Sequence, residues 1–210
     1  RNIWAKAFGV GAKHNWEFIA RSTDQAEPMM VPRGKVVGGS SAVNAQVFLR
    51  GVPEDYDSWA AMGNDKWGFR ELLPYFKMNE TDPDFHDDFH GNDGPIIVQR
   101  FEEPDWNPEA SAFYYACLEM GYPTSPDLNS PNSTGVGRVP LNNPDGIRMS
   151  TAIGYLEPAR HRLNLTIKGN CLVHRVIFDG VRAKGVLVES RGELFSVLGD
   201  EIILCAGPIG

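Results

Sequence analysis

The chain has 210 residues, 42% hydrophobic and 22% charged, the composition of a globular protein and not of a disordered one. Its formal charge of -7 argues against the clustered Lys and Arg that hold nucleic acid or an anionic membrane. No apolar run approaches the ~20 residues needed to cross a bilayer.

Residues 1–32 show little periodicity, and Pro28 and Pro32 block a continuous helix, so this part reads as mostly irregular. Val36 to Gly39 ends a short extended piece, and "SAVNAQVFLRG" after it fits a helix or a bent strand. From Asp55 the pattern turns helical: Tyr56, Trp59 and Ala60 share a face, Gly63–Asn64 makes a turn, and a second helix carries Leu72, Leu73 and Phe76. Pro74 should bend that second helix or mark its first turn. A polar loop then leads to a strand from Pro95 to Arg100, and "NPEASAFYYACLEMGY" is an amphipathic helix between Pro108 and Gly121. Residues 122–150 form a long irregular connection of the kind that carries function or wraps a surface. "MSTAIGYLEPARH" is a short helix. Beyond it, alternating apolar residues with glycine turns at 180, 185, 192 and 199 predict a β-meander, and "EIILCAG" predicts a strand buried on both faces. The stop after "GPIG", where a strand-to-helix turn should lead onward, reads as a truncation.

Several motifs raise chemistry that their context does not support. "FGVGAKH" and "TGVGRVP" lack the strand, glycine turn and helix of a dinucleotide fingerprint. The group Asp84, His86, Asp87, Asp88, His90 and Asp93 puts Asp87 where an EF-hand needs glycine, and reads as a solvated turn. Ser40 and Ser41 lie outside any GxSxG elbow, so a nucleophilic role is not expected. Cys117, Cys171 and Cys205 make neither a disulfide framework nor a CxxC metal clip, and no metal ligand set is assigned. The compartment stays open: the first residues show no signal-peptide h-region, and sequons at Asn79, Asn132 and Asn164 are short enough to arise by chance. "RGKVVGGSSAVNAQVFLRG" is the remaining candidate. Gly38 and Gly39 fit equally a plain tight turn or a loop whose backbone N–H groups cradle an anion.

The order of motifs carries a resemblance. "PRGKVVGGSSAVNAQVFLRG" followed by "DYDSWAAMGNDKWGFRELLPYFKMNE" resembles the glucose–methanol–choline (GMC) oxidoreductase family, flavoenzymes that oxidise alcohols. The likeness continues through "FHGNDGPIIV", "NNPDGIRMSTAIGYLEPA", "NLTIKGNCLVHRVIFDGVRAKGVLVE" and "EIILCAGPIG". It implies a mixed α/β (α+β) fold, in which part of an FAD-binding Rossmann-like domain (1–55 and 161–210) is interleaved with part of an antiparallel-sheet substrate domain and its lid (56–160). It also implies FAD as cofactor. Val36, Val37, Gly38, Gly39 and Ser40 would lie along the pyrophosphate and ribityl chain, and Asn44, Ala45, Gln46 and Val47 beside the isoalloxazine ring. Val173 would contact adenine through its main chain, and Ala206 and Gly207 the ribose and phosphates. Val43 stands where some members carry a histidine linked covalently to FAD, so no such link is expected here.

The family's GxGxxG unit and its catalytic histidine have no counterpart in the chain. None of His14, His86, His90, His161 or His174 lies in a matching context. The chain therefore reads as an internal piece of a longer FAD-dependent enzyme that takes hydride from a small alcohol, inactive by itself, with no nucleic acid partner and no membrane span. The same resemblance leaves two alternatives: a family member with lyase or photodecarboxylase chemistry, and a non-catalytic scaffold.

Overall fold

The computed structural model describes residues 11–209 and divides into two compact units, Arg1–His161 and Arg162–Gly210. Residues 1–55 and 56–160 thus share one unit. Gly9 of the first GxG pattern lies outside the described residues.

In the first unit, strands β1 (Phe18–Ala20) and β2 (Met29–Val31) pair antiparallel, with Ile19 opposite Met30. These strands fall where the sequence predicts irregular chain, because three residues are too few to show a period of two. Pro32, which has no N–H, closes β2. Helix α1 (Pro53–Ala61) starts with proline at its first position and Glu54 and Asp55 in its first turn, where the helix dipole favours negative charge. Helix α2 (Phe69–Asn79) follows the Gly63 turn. Pro74 lies well inside α2, not in its first turn; the helix runs through it at the cost of one N–H donor. Tyr56 joins the two helices: its ring packs 5.4 Å from both Trp59 and Phe76 and 6.4 Å from Phe69.

Helix α2 runs directly into β3 (Glu80–Thr81), which pairs in parallel with β4 (Ile96–Ile97). The regular ladder is shorter than the Pro95–Arg100 strand expected from sequence. The alternation still extends along it, because Ile96, Val98 and Arg100 are all buried and Val98 is 1% exposed. Gln99 then bridges Leu141, and Leu141 also bridges Val47, so one residue of the long connection stitches together two distant segments. Helix α3 (Pro108–Glu119) is capped by Asn107, whose Oδ1 accepts the Ala110 N–H at 2.7 Å, and ends before Gly121 in the left-handed region. The connection after it buries several polar side chains, among them Ser125, Asp127, Asn129, Asn142 and Asn143. The short helix near the end of the unit contains a π-helical turn, Ala152–Leu156, a widening often found at functional sites.

The second unit is the expected meander: β5 (Leu172–Asp179), β6 (Arg182–Ser190) and β7 (Glu193–Leu198), paired antiparallel in that order. Two-residue turns at Gly180–Val181 and Arg191–Gly192 connect them; the second has both residues at positive φ, as a type I′ hairpin turn requires. Gly185 is not a turn. It sits within β6 next to a bulge, where a Cβ would meet the Leu198 side chain at 2.9 Å. "EIILCAG" is not a buried strand either. Residues 202–205 have no ladder partner among the described residues, and Ile203 and Leu204 are 80% and 67% exposed. A strand buried on both faces needs a neighbour on each side, and the described residues supply none.

Candidate functional site

The segment from Gly34 to Arg50 folds back on itself in a tight turn. Gly39 N–H donates to the Val36 carbonyl at 2.8 Å, and the chain enters a 3₁₀ turn over Gly39–Ala42. Gly38 and Gly39 both have positive φ (92° and 55°) but play different parts. A Cβ on Gly38 would meet Ala152 of the π-helical turn at 3.2 Å, whereas one on Gly39 would meet open space. Of the two glycines, Gly39 is the one that leaves room for a ligand.

Both serine hydroxyls are engaged within the protein. Ser40 Oγ accepts the Gly34 N–H at 3.2 Å. Ser41 Oγ donates to the Gly38 carbonyl at 2.6 Å and accepts the Thr151 N–H at 3.0 Å. Ser40 closes the turn onto Gly34 and Ser41 fixes it to Thr151, and neither has a general base among these partners.

Beyond the turn the backbone alternates. The N–H of Asn44 donates to Ser40 O, that of Gln46 to Asn44 Oδ1, that of Phe48 to Pro140 O and that of Arg50 to Asn129 Oδ1. The carbonyls of Gln46 and Phe48 accept from Asn142 N–H and Asn129 Nδ2. The N–H groups of Ala45, Val47 and Leu49 find no acceptor among the described residues, and these three residues are exposed. One side of the segment is therefore pinned to the protein, while on the other the N–H and C=O groups of Ala45, Val47 and Leu49 have no partner among the described residues. Gln46 takes a left-handed φ of 67°, held by the Asn44 side chain, and so turns the backbone into this register. A cavity of about 360 Å³ lies against the segment, bordered by Asn44, Val47, Tyr56, Phe76 and Tyr155. Tyr155 OH donates to Asn79 Oδ1 at 2.7 Å, and burial pushes its pKa upward.

A closed ring of side chains supports the far end of this edge. Arg50 pairs with Glu80 and donates to the Phe89 carbonyl. Glu80 Oε1 lies 3.1 Å from His90 Nδ1, and His90 Nε2 lies 3.0 Å from Asp127 Oδ2. Asp127 Oδ1 accepts the Asn129 N–H, and Asn129 returns to Arg50 and Phe48. Arg100 braces the ring with a two-point bond to Asp82 at 2.8 and 2.9 Å and contacts to Asp84 and Asp127. Burial by itself would lower the pKa of His90; its hydrogen bonds to Asp127, Asp82 and Glu80 outweigh that and push it up to about 11. Burial would raise Asp82, but bonds to His90 and Arg100 hold it well below the usual carboxylate range. Glu80, Asp82 and His90 offer atoms within 4.8 Å of one another, yet Arg50, Arg100 and protonated His90 already supply the positive charge these carboxylates require.

The solvated-turn reading of this region is corrected for His90, which is 4% exposed and the keystone of the ring; Asp84, His86, Asp87, Asp88 and Asp93 are exposed as expected. A signal did exist: Arg100 falls on the buried face of an alternating strand, and a buried guanidinium needs carboxylates nearby. Among the other predicted positions, the structure brings Val36, Val37, Gly38, Gly39, Ser40, Asn44, Ala45, Gln46 and Val47 into one continuous loop and edge. Val173, in β5, and Ala206 and Gly207, in an exposed turn, belong to the second unit. Asn129 and Asn142, which hold the edge from behind, and Arg148, which holds its start, were missed, because they approach from 81 to 104 residues away in the chain.

The fold is mixed α/β, and comparison with known proteins specifies its class. The family described as GMC oxidoreductase matches residues 7–210. An uncharacterized GMC-type oxidoreductase of Rhodococcus erythropolis is 40% identical over 96% of this chain and 40% of its own length. Oxygen-dependent choline dehydrogenase 1 of Chromohalobacter salexigens is 40% identical over 95% of this chain and 36% of its own. The crystal structure of pyridoxine 4-oxidase from Mesorbium loti superposes with a TM-score of 0.89 at 32% identity, covering 97% of this chain and 40% of that one. The chain belongs to the GMC oxidoreductase family. It spans about two fifths of the length of the relatives it matches.

Proposed function

We propose that this chain supplies the flavin-facing edge and part of the substrate side of an FAD-dependent oxidoreductase acting on the CH–OH group of a small alcohol. The observation that carries the reading is the row of free N–H groups at Ala45, Val47 and Leu49, set beside the open face of Gly39. The open N–H groups can donate to the acceptor atoms of an isoalloxazine, and the open carbonyls of the same residues can accept from its N3–H. FAD, when bound, supplies the hydride acceptor. The protein's part is to orient that ring: Asn129, Asn142 and Pro140 hold the back of the edge, and the His90 ring keeps Arg50 in place. In this reading residues 1–55 and 161–210 belong to the cofactor domain and 56–160 to the substrate domain. Val36, Val37 and Ser40 line the cofactor's phosphate and ribityl part, and Val173, Ala206 and Gly207 meet its adenine and ribose.

His90 is unsuited to be the base that takes the alcohol proton, because both ring nitrogens face carboxylates and hold their protons. The names of the relatives make choline and pyridoxine the first alcohols to try. The test uses the full-length protein: it should purify with FAD, and one of a panel of small alcohols should bleach the flavin absorbance under anaerobic conditions. Protein that binds no FAD, or whose flavin no alcohol reduces, would contradict the proposal.

A further inference from the structure

The open edge is held at its start by an arginine whose charge nothing in the described structure neutralises. Arg148 Nη1 donates to the Asn44 carbonyl and to Asn44 Oδ1, the latter at 3.0 Å. That same Oδ1 accepts the Gln46 N–H at 3.0 Å, so Arg148 helps fix the peptide from which the donor row begins. The arginines behind the edge are different: Arg50 is paired with Glu80, and Arg100 with Asp82, Asp84 and Asp127. Arg148 is half-buried and has no carboxylate within 4 Å among the described residues. Burial lowers its pKa from the ordinary value, yet a guanidinium starts so far above neutrality that it keeps its charge. The sequence around the edge points the same way. No Asp or Glu occurs between Glu27 and Glu54, in a chain where acidic residues number 27 against 20 Lys and Arg.

Resting on the FAD reading above, we propose that Arg148 is a positioning residue that also makes this edge electropositive, so that it favours the flavin ring when the ring carries negative charge. Hydride transfer breaks the alcohol's C–H bond and delivers two electrons and one proton to flavin N5. The alcohol becomes a carbonyl as its hydroxyl proton leaves to a base, and the ring gains one negative charge. A fixed positive charge beside the edge stabilises that product without having to reorient. Arg148 thereby sets how readily the cofactor accepts hydride.

Sulfite tests this without any substrate, because its sulfur adds to flavin N5 and leaves the same negative charge on the ring. In the full-length holoprotein, Arg148→Gln keeps a donor for the Asn44 carbonyl and removes the charge, while Arg148→Lys keeps the charge. The glutamine variant should bind sulfite about tenfold more weakly and lower the flavin reduction potential by about 30 mV for a two-electron couple. The lysine variant should stay close to wild type in both. Equal sulfite affinity and potential in wild type and Arg148→Gln would overturn the proposal, as would a lysine variant that behaves like the glutamine one. Should the glutamine variant lose FAD, the lysine variant decides alone: wild-type affinity supports the charge, and a tenfold loss overturns it. A wild-type protein without FAD would overturn the reading beneath the proposal, an outcome distinct from bound FAD that is indifferent to Arg148.

Discussion

At the scale of single residues, His90 and Asn44 carry the sharpest expectations. His90 gains its proton's partners only on folding, and its folded pKa of about 11 lies above the ordinary value of 6.5. Between those values the folded protein holds a proton that the unfolded chain releases. The stabilisation is thus complete below about pH 6.5 and is lost as pH rises toward 11. Asp82 and Asp127 act in the opposite sense, since their lowered pKa values give stability that is present above the usual carboxylate range and lost in acid. The melting temperature of the full-length protein should therefore fall as pH rises from 6.5 to 10. The fall should be shallower in His90→Gln, while the Gln variant should be less stable at pH 6.5 by about 3–5 kcal/mol, the usual cost of stranding a buried charge partner. Asn44→Ala has a different readout. It removes the acceptor of Gln46 N–H and one of the two acceptors of Arg148, which keeps the Asn44 carbonyl, and leaves the left-handed Gln46 unsupported. FAD affinity, measured by fluorescence titration, should drop at least tenfold with a smaller change in melting temperature.

At the scale of elements, legibility followed the length of the repeating pattern. Helix α3 was readable because Pro108 and Gly121 mark its two ends and Asn107 caps it, although the amphipathic face expected of it buries none of its residues. Asn107→Ala should cost about 1 kcal/mol in a denaturant titration and leave FAD binding unchanged, because the cap touches no part of the edge. The meander was readable from alternation, but Gly185 was misread. A glycine admitted for close packing across strands looks in sequence like a glycine admitted for a turn. The β1–β2 hairpin was too short to register. "EIILCAG" was misread for the opposite reason: its apolar run signals burial, but burial requires neighbouring strands that these residues do not contain.

At the scale of the whole molecule, the loop from Val36 to Val47 was legible as a motif but its construction was not. Glycines and a following asparagine mark the turn that leads into the proposed cofactor edge. What keeps alternate N–H groups free is supplied by Asn129, Pro140, Asn142 and Arg148, all from segments that sequence spacing cannot bring near residue 46. The long irregular connection from 122 to 150 is the structural partner of the edge, which accounts for its many buried polar side chains.

The central claim is that the odd-numbered amides of this edge are reserved for the cofactor, and residue-resolved hydrogen exchange of the full-length protein with and without FAD tests it most directly. Phe48 and Arg50 amides, already bonded to Pro140 and Asn129, should exchange slowly in both states. Ala45, Val47 and Leu49 amides should exchange rapidly without FAD and slow when it is added. Equal exchange at Ala45, Val47 and Leu49 in the two states would contradict the account.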